Sequence, residues 1–252
     1  MKTTELLQNE KLPYICTPLA GKTLSEVLKE LASVVPKKPD IIEWRVDFFD
    51  KINETNEVLA ALQEINQHIN GIPLLFTIRS EKEGGQPIPL NDNQMIELLC
   101  EVCKSKFVQF VDVELDNHVE NIQRVRDFTK KYQQILVLSH HNFQSTPKKA
   151  DIIDFLLKME KQGADVAKIA LMPKSYADVI TLFEATKEAS KIIEIPLITI
   201  SMGDIGVMSR VLGWLYGSTV TFAIGEKSSA PGQISIETLK DMIKTVKGER
   251  KL

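Results

Sequence analysis

The sequence predicts an α/β protein, a single-domain (β/α)8 TIM barrel occupying residues 1–252. Three observations carry that expectation. Short apolar, β-branched runs recur about every 30 residues, and amphipathic stretches separate them. The runs are continuously apolar rather than alternating, which suits parallel strands covered on both faces. Eight such units fill 252 residues, a normal length for one barrel.

The first run, PYICTPL (13–19), leads into a helix opened by Thr23, with Glu26 three residues on at capping-box spacing. The turn between them, PLAGKT, holds one glycine. An open doubly wound sheet would usually carry G-x-G-x-x-G there. The next runs are IIEWRVD (41–47), PLLFTIR (73–79) and FVQFVDVEL (107–115). Before the last of these, QMIELLCEVCKSKF places Met95, Ile96, Leu99, Val102 and Cys103 at helical spacing. Cys100 and Cys103 therefore read as buried helix cysteines despite their C-x-x-C spacing, because no second Cys or His pair accompanies them. With Cys16 they make three, an odd number that is no disulfide framework. QILVLSHHNF (134–143) is followed by a helix expected to start at Thr146-Pro147, with Pro in its first position and Gly163 just past its end. DVAKIALM (165–172), PLITISM (196–202) and STVTFAIG (218–225) complete the strands, and Ile234 to Val246 forms the last amphipathic helix.

Composition narrows the partners. Hydrophobic residues make up 43% and charged residues 26%, with a formal net charge of −3. That balance offers no nucleic-acid surface and no basic membrane patch. MKTTELLQNEK is polar and lacks the apolar run of a secretory signal, and IIEIPLITI is too short to span a bilayer and carries Glu194. A cytoplasmic protein with no membrane span is expected.

Chemistry gathers where polar residues interrupt strand ends, the place where barrels of this class keep their active sites. In EWRVD, Glu43, Arg45 and Asp47 are spaced by two and share a strand face, opposite Ile42, Trp44 and Val46. Arg79 ends the third strand, and Glu83 opens a loop with Gly84-Gly85. Asp112 and Glu114 share a face of the fourth strand, where arginine neutralisation is favoured over a metal. Of His140 and His141, only one can face the interior, because strand neighbours point to opposite sides. Lys168 stands alone among Val166, Ala167, Ile169, Ala170 and Leu171. Two readings fit that position equally: an amine made nucleophilic by apolar surroundings, or a buried ion pair with Glu43, Asp112 or Glu114. Arg210, early in the helix after strand seven, is suited to bidentate capture of a carboxylate, and GEKSSAPGQ reads as a lid.

Taken in order, EWRVD, TIRSEKEGG, VDVEL, SHHNF, AKIALMP, ISMGDIGVMSR, GSTVTFA and SAPGQI resemble the type I 3-dehydroquinate dehydratase family along nearly the whole chain. The resemblance implies a lyase of the shikimate pathway, without cofactor or metal, that removes water from 3-dehydroquinate to give 3-dehydroshikimate. It implies that Lys168 forms a Schiff base with the substrate, that His141 serves as general acid and base, and that Glu83 orients His141. Arg210 then grips the substrate carboxylate, Glu43, Arg45 and Arg79 hold the ring hydroxyls, Ser229 and Gln233 close the lid, and Met202 forms the pocket wall. A homodimer is implied as well. One residue departs from the pattern: many members carry Asp after the catalytic histidine, where this chain has Asn142. A sugar-phosphate aldolase of the same Schiff-base class would need a phosphate site, for which Arg210 with Ser228 and Ser229 is a poor set. A non-catalytic barrel that binds the acid would need Arg210 but not Lys168.

Overall fold

Each of the eight apolar runs contains a strand in the structure, a computed structural model that describes residue 7, residues 12–225 and residues 232–248. The strands are β1 (Tyr14–Leu19), β2 (Ile41–Arg45), β3 (Leu74–Thr77), β4 (Phe110–Glu114), β5 (Ile135–Asn142), β6 (Val166–Leu171), β7 (Leu197–Ser201) and β8 (Val220–Phe222). Helices α1 (Leu24–Val34), α2 (Thr55–His68), α3 (Asp92–Ser105), α4 (Val119–Tyr132), α5 (Lys149–Lys161), α6 (Tyr176–Ala189), α7 (Val207–Leu212) and α8 (Ile236–Val246) follow them in turn. All strand pairs are parallel, in the order β7-β6-β5-β4-β3-β2-β1-β8. A bridge between Leu197 and Ser218, with the Thr219 N–H donating to the Leu197 carbonyl at 2.7 Å, brings the two ends together into a nearly closed barrel.

Element boundaries shift where tertiary contacts compete with local signals. The helix expected from Pro147 begins at Lys149. The Thr146 hydroxyl donates to the Met172 carbonyl beyond β6, which keeps this segment on the barrel rim for two more residues. The last helix starts at Ile236 rather than Ile234, since the Ile234 carbonyl still accepts from Ile224 N–H at 2.8 Å and Ser235 supplies the cap. Thr23 caps α1 as expected, but Glu26 takes the Lys22 N–H and leaves the capping box open. Cys100 and Cys103 are buried on α3, and burial pushes the Cys103 thiol up to about 12, so it packs as an apolar group.

The strand alternation splits the core in two. Side chains such as Leu19, Ile42, Trp44, Leu74 and Phe76 point outward into the helix layer. Tyr14, Cys16, Ile41, Leu75, Phe110, Val137, Val166 and Val220 fill the lower barrel interior. Trp44 has the largest fully buried side chain and meets Phe49 and Phe76 edge-on at 5.5 and 5.7 Å. Above the apolar plug, the inward positions turn polar: Glu43, Thr77, Asp112, Ser139 and Lys168, all buried. The site is thereby confined to the carboxyl ends of the strands.

Trp44→Ala should destabilise the fold by about 3–5 kcal/mol, the range for emptying a large aromatic site. Urea unfolding followed by circular dichroism measures it; a loss below about 1 kcal/mol would mean that the helix layer collapses into the space.

Candidate active site

Arg79 lies two residues past β3, with its guanidinium inside the barrel mouth. It donates to Asp112 Oδ1 at 2.8 Å, Glu114 Oε1 at 3.0 Å, Ser139 Oγ at 2.9 Å and Glu83 Oε2 at 3.3 Å. The neutralisation expected for Asp112 and Glu114 is therefore made by Arg79. Burial opposes charge on this guanidinium, yet Asp112, Glu114 and Glu83 push its pKa up. Burial likewise opposes charge on Asp112, but Arg79 and Lys168, with the Ser139 hydroxyl, hold its carboxyl below the usual range.

Glu83 reaches the pocket because the chain reverses tightly after β3. Gly84 adopts φ +83°, and a Cβ at Gly85 would lie 1.9 Å from the Arg79 carbonyl oxygen. The resulting turn, Glu81–Glu83, aims Glu83 at β5. Its Oε2 accepts from His141 N–H at 3.1 Å and sits 2.8 Å from His141 Nδ1. A Nδ1–H donated to Glu83 leaves the lone pair on Nε2. Burial, then Arg79, Lys168 and Arg45, hold the His141 pKa well below its ordinary value, so the ring stays neutral. Burial pushes the Glu83 carboxyl up, against the pull of His140 and Arg79. His140 stacks on Phe155 of α5 at 4.6 Å, with its Nδ1 3.5 Å from Glu83 Oε1. The choice of His141 as the pocket-facing ring agrees with this arrangement.

Lys168 is not surrounded by grease alone. Its Nζ lies 3.3 Å from Asp112 Oδ2, 3.6 Å from Glu43 Oε1 and 4.8 Å from the Phe222 ring centroid. Of the two readings left open for Lys168, the geometry shows the ion pair, because β2 and β4 bring Glu43 and Asp112 within reach of its Nζ. Thr77 Oγ1 donates to Glu43 Oε1 at 2.9 Å and fixes that carboxylate.

The strand-two expectation needs one correction. β2 ends at Arg45, and Asp47 lies in the 3-10 turn Val46–Phe48 rather than on the strand. There it takes Arg45 bidentately, at 2.9 and 2.8 Å, and accepts from the backbone N–H groups of Arg79 and Gln86. Asp47 thus ties the ends of β2 and β3 together.

On the opposite wall, Arg210 of α7 donates through Nε to the Gly232 carbonyl at 2.8 Å, and burial lowers its pKa to about 10. Met202 is buried beside it. Lys168, His141, Glu83, Glu43, Arg45, Arg79, Arg210, Met202 and Gln233 all line one pocket of about 480 Å³. Ser229 lies outside the described residues. Sequence reasoning missed Thr77 and Ser139, the hydroxyls that hold Glu43 and Asp112. Their inward register beside charged strand neighbours was the available signal. It also missed the apolar rim of Phe143, Ile200 and Phe222. A mouth with one neutral imidazole, one amine among carboxylates and one arginine on the far wall can hold a small carbonyl acid and move its protons.

Residues 15–250 match the model of the type I 3-dehydroquinase family. A 3-dehydroquinate dehydratase from a Geobacillus species (strain WCH70) is 49% identical over 234 residues, 93% of this chain and 90% of the relative. Among solved structures, the 3-dehydroquinate dehydratase of Geobacillus kaustophilus superposes with a TM-score of 0.92 at 44% identity, covering 95% of this chain and 93% of that one. The type I enzyme of Clostridium difficile, solved with covalently modified comenic acid, gives a TM-score of 0.90 at 40% identity, covering 94% and 93%.

An NMR titration of the histidine ring protons should show His141 neutral at pH values below 6.5, since its pKa lies well under that reference. A midpoint above 6.5 would mean that Glu83 outweighs burial and the surrounding cations.

Proposed function

This chain belongs to the type I 3-dehydroquinase family, and on that premise we propose that it eliminates water from 3-dehydroquinate through an imine on Lys168. The observation that carries the reading is the convergence of Lys168, the Glu83-held His141 and Arg210 on one pocket.

Arg210 takes the substrate carboxylate, and that charge offsets the desolvation of the guanidinium. Lys168 Nζ adds to the C3 carbonyl, and loss of water leaves a protonated imine. The two readings of Lys168 merge at this step. Asp112 and Glu43, which pair with the ammonium, face the iminium that replaces it and stabilise its positive charge. The iminium withdraws electrons from C2, and neutral His141 removes a C2 proton. The electron pair forms the C1–C2 double bond as the C1 hydroxyl leaves, protonated by the imidazolium. Both transfers use one ring and so one face of the substrate, a syn elimination. Hydrolysis of the imine returns the water taken out in forming it and releases 3-dehydroshikimate, so one water is lost overall. Glu83 keeps the ring oriented, while Glu43, Arg45 and Arg79 meet the ring hydroxyls, Met202 packs at the wall, and Ser229 and Gln233 close the site. The scheme uses no cofactor or metal. The covalently modified acid in the Clostridium difficile relative is in keeping with a covalent step.

Among the described residues, no helix is long and apolar enough to cross a membrane, which is compatible with a cytoplasmic setting. A homodimer is proposed from the family resemblance. Tyr176 and Ile180 on α6 and Met208 on α7 are exposed apolar side chains.

Borohydride added during turnover should fix the substrate to the chain, with peptide mapping placing the label on Lys168; a label on another lysine would displace it from the mechanism. Lys168→Ala should abolish turnover, followed by enone absorbance, while substrate binding remains measurable. His141→Ala should slow turnover by about 10²–10⁴-fold, the contribution of a positioned general base. Intact-protein mass should then show an accumulated imine; fast turnover without an adduct would rule out the proton-transfer role.

A further inference from the structure

On the side of Glu83 away from His141, three donors meet that the dehydration does not use. One carboxylate oxygen each of Glu83 and Asp116 and a ring nitrogen of His140 lie within 4.8 Å of one another. They come from the turns after β3 and β4 and from β5. Glu83 is 5% exposed. Neither its Oε1 nor His140 Nδ1 has a hydrogen-bond partner, although both atoms are shut off from solvent. The two face each other as a long ion pair rather than a hydrogen bond, and a cation that replaced the Nδ1 proton would satisfy both lone pairs better.

Their spacing says what fits. The two atoms are 3.5 Å apart. Donors on a tetrahedral zinc ion, with bonds of about 2.1 Å, are separated by about 3.4 Å. The stack on Phe155 fixes the His140 ring, so one edge of the tetrahedron is already built. Asp116 is exposed and free to rotate its carboxylate inward as a third ligand, leaving a fourth position for water. A path for the ion is present. Asp116 also borders a surface groove lined by Glu81, Asp92, His118 and Lys82, in which the carboxylates outnumber the lysine and attract divalent cations. Imidazole with carboxylates favours zinc over magnesium or calcium, which prefer all-oxygen shells.

We propose that Glu83, Asp116 and His140 form an inhibitory zinc site, in which the cation on Oε1 drains charge from the Glu83 carboxylate and weakens the hold of Oε2 on His141. The ion is not a cofactor but a competitor for the group that orients the base. Binding stands on the geometry alone, and the inhibitory consequence rests on the function proposed above.

The test titrates zinc chloride into chelator-treated full-length protein, followed by calorimetry and, separately, by turnover of 3-dehydroquinate. One site is expected, with turnover falling about tenfold or more at saturation, the scale seen when a partner of a functional imidazole is lost, and recovering on addition of EDTA. Asp116→Ala should keep its zinc-free activity and bind zinc at least about tenfold more weakly, a change of about 1.4 kcal/mol. His140→Phe, which preserves the stack on Phe155, should lose the calorimetric signal. No binding to the native protein, binding without inhibition, or equal zinc sensitivity in both variants would overturn the proposal. Because calorimetry reads the ion without reference to turnover, a native protein inactive on 3-dehydroquinate would count against the functional reading and not against the site.

Discussion

The mouth of this barrel depends on a single guanidinium. Arg79 sits among Asp112, Glu114 and Glu83, and without it three carboxylates would face one another in a space closed to water. An uncompensated buried charge of this kind costs about 3–5 kcal/mol. The arrangement is not primarily a source of stability, since ion pairs in such places lose in desolvation much of what they gain in attraction. Its consequence is positional. Asp112, held by Arg79 through one oxygen, turns the other to Lys168, whereas Glu83 accepts from Arg79 and His141 through the same oxygen, Oε2. The amine and the imidazole are both oriented by carboxylates that the same arginine orients.

That constraint explains why the protonation states diverge over a few ångströms. Asp112 remains a carboxylate because two cations flank it, whereas His141 remains neutral because it is buried beside cations of its own. A base that stays free of its proton and a cationic nitrogen facing fixed carboxylates are complementary demands, and one charge network meets both. The apolar plug beneath keeps that network dry on its lower side, which strengthens each interaction within it.

Much of this was legible in the residues. Inward and outward faces follow from a period of two, so Asp112 and Glu114 could be placed together and His140 separated from His141. Nine of the ten residues singled out for the site line one pocket, and the tenth, Ser229, lies outside the described residues. The open and the misjudged features share one origin. The choice for Lys168 between an apolar setting and an ion pair stayed open on its own strand, because its partners come from β4 and β2. Asp47 looked like a strand residue because it continued the alternation, but the backbone had already turned at Val46. Pro147 looked like a helix start, and the Met172 carbonyl held Thr146 back.

The sequence by itself determined the eight strand–helix units, the side of the strand each polar residue faces, and the kind of chemistry those residues carry. Periodicity and side-chain type are properties of a local stretch of chain. Only the tertiary structure decided which acid meets which base. Asp112 and Lys168 are 56 positions apart; the β4–β5–β6 register sets Lys168 beside Ser139 and Ser139 beside Glu114, and Asp112, the next inward position down β4, reaches the amine at 3.3 Å. Coulomb energies change steeply over such short distances in a buried setting, so pairing and protonation wait on a geometry that no single segment contains.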